Sequence, residues 1–167
     1  MKKAFALLLA VFLLDGCAGY HLGPATPAYL RNIHTIAVPT FTNTTLVPRI
    51  EVLVTNTVIK QFQQDGTFKI VNADVADATL KTEIVSVGRA PARSVRGNVL
   101  STTEFYLSLV VKYTLVGRDG KTLASAGVSG STSFFVGTDV NTDERQALPL
   151  AAEELARHLV SQLSEGW

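Results

Sequence analysis

Cysteine occurs once in this 167-residue chain, at position 17. A lone cysteine closes no internal disulfide, and no CxxC or Cys/His cluster accompanies it to make a zinc site. The three histidines, His21, His34 and His158, share no ligand spacing either, so no metal is expected. An excess of one charge is also lacking: 15 basic and 14 acidic side chains leave a formal net charge of +1, which gives no electrostatic case for nucleic acid. No apolar run approaches the roughly 20 residues of a membrane-crossing helix; Ala4 to Leu14 provides eleven. There is no GxSxG elbow, GxGxxG fingerprint or GxxxxGKS/T loop. "GVSGS" at 127–131 lies inside a strand pattern with no helix behind it, and the chain reads as a non-enzyme without a cofactor.

The amino terminus has three zones: Lys2 and Lys3, the apolar stretch Ala4 to Leu14, and the polar step Asp15-Gly16 before Cys17. That order is a bacterial-type export signal, removed on maturation. Its loss takes away Lys2, Lys3 and Asp15 and leaves a neutral chain of about 150 residues, enough for one domain with a sizeable core. A nucleophilic cysteine needs a base held beside it by a rigid fold, and a mature amino terminus is a poor place to hold one. Leu14 three before Cys17 and Gly16 one before it resemble the lipobox of bacterial lipoproteins, with Asp15 departing from the small residue usual between them. The resemblance implies that the Cys17 thiol is alkylated with diacylglycerol and that the mature protein carries three acyl chains. Each buried CH₂ contributes about 0.8 kcal/mol, so one chain anchors marginally and several hold stably. Ala18, rather than Asp, follows the cysteine, which implies the outer membrane, on its periplasmic side. The expected division is a signal peptide at 1–16, lipidated Cys17 and a tether at 17–32, and a single α+β domain at 33–167.

Within the domain, Ile33 to Val38 reads as a strand ending at Pro39. Ile50, Leu53, Val54, Val58 and Phe62 recur at helical spacing over 48–64, with Pro48 suited to a first turn and Gly66 to a carboxyl cap. Phe68 to Val71 and Ala78 to Val87 read as strands. In the strand Thr103 to Val116, Phe105, Leu107, Leu109, Val111, Tyr113 and Leu115 alternate with Glu104, Ser108, Lys112 and Thr114. Asp119-Gly120 turns this strand into Thr122 to Phe135. A closing helix carries Leu148, Ala151, Ala152, Leu155, Ala156, Leu159 and Leu163 as one stripe, and Pro149 sits in its first turn or inside a longer helix beginning near Thr142. Each helix has a single apolar stripe, which predicts a two-layer α+β sandwich: one mixed or mainly antiparallel sheet of four to five strands with two helices on one face.

Two polar features stand out. On Thr122 to Phe135, Ser125, Gly127, Ser129, Ser131 and Ser133 share one face with Leu123; this is either the solvated side of the sheet or a flat docking face. "GRAPARSVRGN" at 88–98 places Arg89, Arg93 and Arg96 without an acidic residue between two strands. It is either a solvated turn or an anion-binding loop, since the guanidinium fork pairs with phosphate and carboxylate.

In order, Cys17 with "GYHL" (19–22), "IHTIAVPTFTNTT" (33–45), "RIEVLVTNTVIKQFQQDGTFKIV" (49–71) and "ADATLKTEI" (76–84) resemble the lipopolysaccharide-assembly lipoprotein family, LptE. The resemblance implies an outer-membrane lipoprotein without catalysis. It would plug the lumen of a large β-barrel partner, LptD, assist that barrel's folding and contact lipopolysaccharide. It places Arg96 at a glycolipid-contacting position, with Arg93 and Arg89 as neighbours, while Arg145 is offset from a second basic position of the family. "IAVPTFTNTT" followed by an amphipathic helix and "GTFKIV" also resembles small α+β binding modules of other envelope secretion or transport complexes, which is the alternative.

Overall fold

A computed structural model describes residues 26–95 and 98–166; for 94, 95 and 98–103 it gives the backbone course only. Cys17 and Arg96 therefore lie outside the described residues. A short 3-10 turn, Ala28–Leu30, leads into β1 (Thr35–Ala37), β2 (Thr42–Asn43), α1 (Ile50–Asp65), β3 (Lys69–Ile70), β4 (Ala78–Val95), β5 (Asn98–Gly117), β6 (Thr122–Phe135) and α2 (Val140–Ser164). The strand order is β3-β1-β4-β5-β6, with β2 joining β4 further along at Glu83 and Ile84. β1 runs parallel to β3 and β4, whereas β4, β5 and β6 form an antiparallel meander. The sheet is thus mixed, as expected, but has six strands rather than four to five. The sixth is the two-residue piece β2, too short for a periodic signal; β3 falls within the expected strand Phe68 to Val71.

Alternation builds the core on one side of the meander. Leu107, Leu109, Val111 and Leu115 of β5 are fully buried, as are Leu80 and Ile84 of β4. α1 lays Ile50, Val54, Val58 and Phe62 on this layer, and α2 lays Leu148, Ala151, Ala152, Leu155, Ala156, Leu159 and Leu163. Gly66 closes α1 at φ 75°, its N–H bonded to the Phe62 carbonyl at 3.0 Å, the left-handed cap that glycine tolerates best. Pro48 stands two residues ahead of α1 instead of in its first turn, and Arg49 between them takes φ 65°. Pro149 lies inside α2, the longer of the two expected alternatives. The helix starts at the Asp139 cap, whose carboxylate accepts from the Asn141 N–H at 3.0 Å and the Thr142 hydroxyl at 2.6 Å. Leu30 is fully buried in the same core, so the chain joins the body before residue 33, where the sequence reading starts the domain.

One carboxylate ties the lower end of the sheet together. Asp77 accepts from the Thr35 hydroxyl at 2.8 Å and from the N–H groups of Thr35 (2.9 Å) and His34 (3.1 Å). These bonds, the hydroxyl foremost, hold its carboxyl below the usual range. Arg118 closes the same loop by donating to the carbonyls of Ala76 (3.1 Å) and Val75 (2.7 Å).

Candidate binding surface

The helices cover one face of the meander and leave the other open. Cross-strand register places Ser86, Val110 and Ser129 in one row, Gly88, Ser108 and Ser131 in the next, and Ala90, Tyr106 and Ser133 in a third. Ser125, Gly127, Ser129, Ser131 and Ser133 are all exposed. The serine row is therefore the open side of the sheet. Two aromatic rings stand on this face: Tyr106 is 58 % exposed and Phe135 67 %. Lower down, Lys81, Glu83, Lys112, Thr114, Ser125 and Gly127 line a shallow polar depression of about 520 Å³.

Tyr106 and Phe135 were missed from the sequence, although the signal existed. Tyr106 falls between Glu104 and Ser108 on the polar phase of β5, and Phe135 shares parity with the serines of β6. A large ring out of phase with the core alternation, repeated on adjacent strands, marks an exposed patch.

The described part of the arginine segment is strand rather than loop. Residues 88–95 continue β4, and Asn98 already belongs to β5, so the strand expected to end at Val87 runs eight residues further. Gly88 and Pro91 read as breakers in the sequence. Among the described residues β4 has no strand partner on its outer side beyond Ile84, and proline is tolerated on such an edge. Register shifts around Arg93 and Ser94 absorb the irregularity.

Two of the three arginines have partners that are remote or hidden in sequence. Arg89 donates from Nη1 to Glu144 of α2 at 2.6 Å. Its guanidinium also lies 5.6 Å from the centre of the Phe105 ring, which stacks on Phe134 at 5.9 Å. Arg89 thereby clamps the extension of β4 and β5 to the first turns of α2. Arg93, with 72 % of its side chain exposed, lies 3.8 Å from Glu104. Arg145, on the exposed side of α2, lies near a groove walled by Leu46, Val47, Pro48 and Leu148. Among the described residues no group of three or more His, Cys, Asp or Glu could hold a metal, and no helix is long and apolar enough to cross a membrane.

These features define a class: a two-layer α+β sandwich with one helix-covered face, one open sheet face and a projecting β-ribbon. The lipopolysaccharide-assembly family LptE matches residues 33–163, and the chain belongs to that family. No curated protein sequence matches. Among solved structures, a protein of Xanthomonas campestris is similar at 14 % identity and TM-score 0.61, over 86 % of this chain and 91 % of its own. A minor lipoprotein of Acinetobacter baumannii is similar at 16 % identity and TM-score 0.52, over 80 % and 92 %. The PelC dodecamer of Paraburkholderia phytofirmans is similar at 14 % identity and TM-score 0.54, over 85 % and 94 %. At such identities these likenesses speak to the fold alone.

Proposed function

We propose that this protein is a non-enzymatic outer-membrane lipoprotein, held on the periplasmic side by acyl chains on Cys17. It seats its open sheet face against the wall of the LptD β-barrel and contacts lipopolysaccharide during assembly. Family membership supports the general role. The observation that carries the finer reading is the open face itself, where β6 presents a row of small side chains beside the exposed rings of Tyr106 and Phe135. Small side chains let a second β-surface approach closely, and two aromatic anchors on an otherwise polar plane match the composition of interface centres. On the ribbon, Arg93 and Arg96 are the proposed partners of glycolipid phosphates. Arg89 supports them by holding the base of the ribbon on α2.

The test is recovery of the barrel. Affinity-tagged mature protein extracted from membranes in mild detergent should bring a large outer-membrane β-barrel with it. Replacing Tyr106 and Phe135 by Ser should remove the barrel while the protein remains folded. Replacing Arg89, Arg93 and Arg96 by Ala should lower the lipopolysaccharide recovered and leave the barrel in place. If no barrel is recovered with the unaltered protein, the module serves a different envelope complex.

A further inference from the structure

α2 reaches beyond the face of the sheet to its border. β6 is the last strand on that side, so its outward N–H and C=O groups lack a strand partner, the situation that invites edge-to-edge pairing. Side chains one helical turn apart occupy two of these groups. The Glu154 carboxylate accepts from the Ser131 N–H and from the Ser131 hydroxyl, the latter at 3.1 Å. His158 Nδ1 lies 2.8 Å from the Ser129 carbonyl oxygen; a carbonyl only accepts, so Nδ1 carries the proton. The Ser131 N–H also holds the Glu154 carboxyl below its ordinary range, so it stays charged at neutral pH.

Glycine makes this reach possible. A Cβ at Gly130 would collide with the Ala151 carbonyl oxygen and the Leu155 N–H, and would lie 2.7 Å from Leu155 Cβ. α2 therefore runs against the backbone of β6 at this point, close enough for Glu154 and His158 to bend around the strand. Among the described residues no side chain reaches the edge groups of Ser125, Gly127 or Ser133. The cover is local and sits at the middle of the strand.

We infer that Glu154 and His158 guard β6 against pairing with β6 of a second copy of this chain. The strand suits such pairing. In an antiparallel two-fold register centred on Ser129, Ser125 would face Ser133, Gly127 would face Ser131, and Ser129 would face its counterpart, with no bulky or charged side chain in the row. Pairing of that register needs the very groups of Ser129 and Ser131 that the guard occupies. Two side chains at the centre of symmetry thus block the whole ladder.

The experiment compares the mature chain with the variant Glu154→Ala/His158→Ala, both in detergent, by light scattering with the detergent contribution subtracted. Alanine raises helix propensity at both positions, and circular dichroism checks that α2 persists. The unaltered chain should remain monomeric, while the variant should form dimers whose fraction rises with concentration. In those dimers the amides of Ser125, Gly127 and Ser129 should exchange hydrogen about tenfold more slowly or slower still. Adding Ser129→Pro, which deletes an edge N–H, should restore the monomer. Glu154→Ala alone serves as a second variant should the double one unfold, with dimers expected at a smaller fraction because His158 still occupies the Ser129 carbonyl. A folded variant that stays monomeric overturns the inference, as does a dimer in which those amides remain unprotected. Protection that requires addition of a different protein overturns it too, in favour of strand addition by an unlike partner.

Discussion

The two faces of the β4–β5–β6 meander are made by the same strands, one residue out of phase, and they differ in nearly every respect. The covered face is Leu80, Ile84, Leu107, Leu109, Val111 and Leu115, all fully buried beneath two helices. The open face carries serine, glycine and alanine with the exposed rings of Tyr106 and Phe135 toward one end, and Lys81, Glu83 and Lys112 toward the other. The covered face is specified by volume, since tightly packed interiors tolerate neither voids nor added atoms. The serine rows of the open face are specified by what they omit, because bulk there would hinder a flat partner.

That contrast makes unequal predictions. Leu109→Ala on the covered face should destabilise by about 3 kcal/mol in urea denaturation, combining lost transfer energy with a cavity. Gly130→Ala, which puts a methyl group into the backbone of α2, should cost about 2 to 3 kcal/mol by overpacking. A change below 0.5 kcal/mol would mean that α2 does not lie against β6 as described.

Arg89→Ala, at the border between the two faces, should cost about 1 kcal/mol, because the ion pair with Glu144 and the contact with Phe105 are partly solvated. Hydrogen exchange should quicken in 88–95 and leave the body unchanged. On the open face, Tyr106→Ser with Phe135→Ser should move stability by no more than about 0.5 kcal/mol while abolishing barrel recovery. A large loss of stability there would make the rings structural instead.

Away from both faces, the Asp77 clamp provides an acid-side control. Its carboxyl is depressed by the bonds from Thr35 and His34, so its contribution is present at neutral pH and is lost as pH falls below the ordinary aspartate value, about 3.9, toward the folded one. Asp77→Asn should lower Tm at pH 7 and flatten the fall in Tm between about pH 4 and pH 2. An unaltered acid slope would mean that other carboxylates set it.

The covered face was legible in the sequence because burial imposes periodicity. Residues 105–115 alternate, the stripes of both helices keep their three-and-four spacing, and Gly66 marks the end of α1. The border features were not legible, for physical reasons. Glu144 lies 55 positions from Arg89 and Glu104 lies across the ribbon from Arg93, so two arginines that look unbalanced along the chain have acidic neighbours in space. Gly88 and Pro91 carry the same letters in an edge strand as in a turn; only the missing neighbour of β4 beyond Ile84 decides between them. Gly130 falls in a row of small residues, and nothing in its neighbours announces that a helix will press on it. Of the site residues, Arg89 and Arg93 are on the ribbon, Arg96 and Cys17 lie outside the described residues, and Tyr106 and Phe135 stand on the polar phase of their strands, where burial imposes no pattern.

The central claim is that the open face, not the helix-covered one, meets the partner barrel. Photo-crosslinking in intact cells tests it most directly, with a photoreactive residue placed singly at Tyr106, Ser108 or Ser133 on the open face and at Val52 or Leu150, exposed on the helices. Crosslinks to one large outer-membrane barrel from the first three positions and few from the last two are predicted. The reverse pattern, or equal crosslinking from both sides, would contradict it.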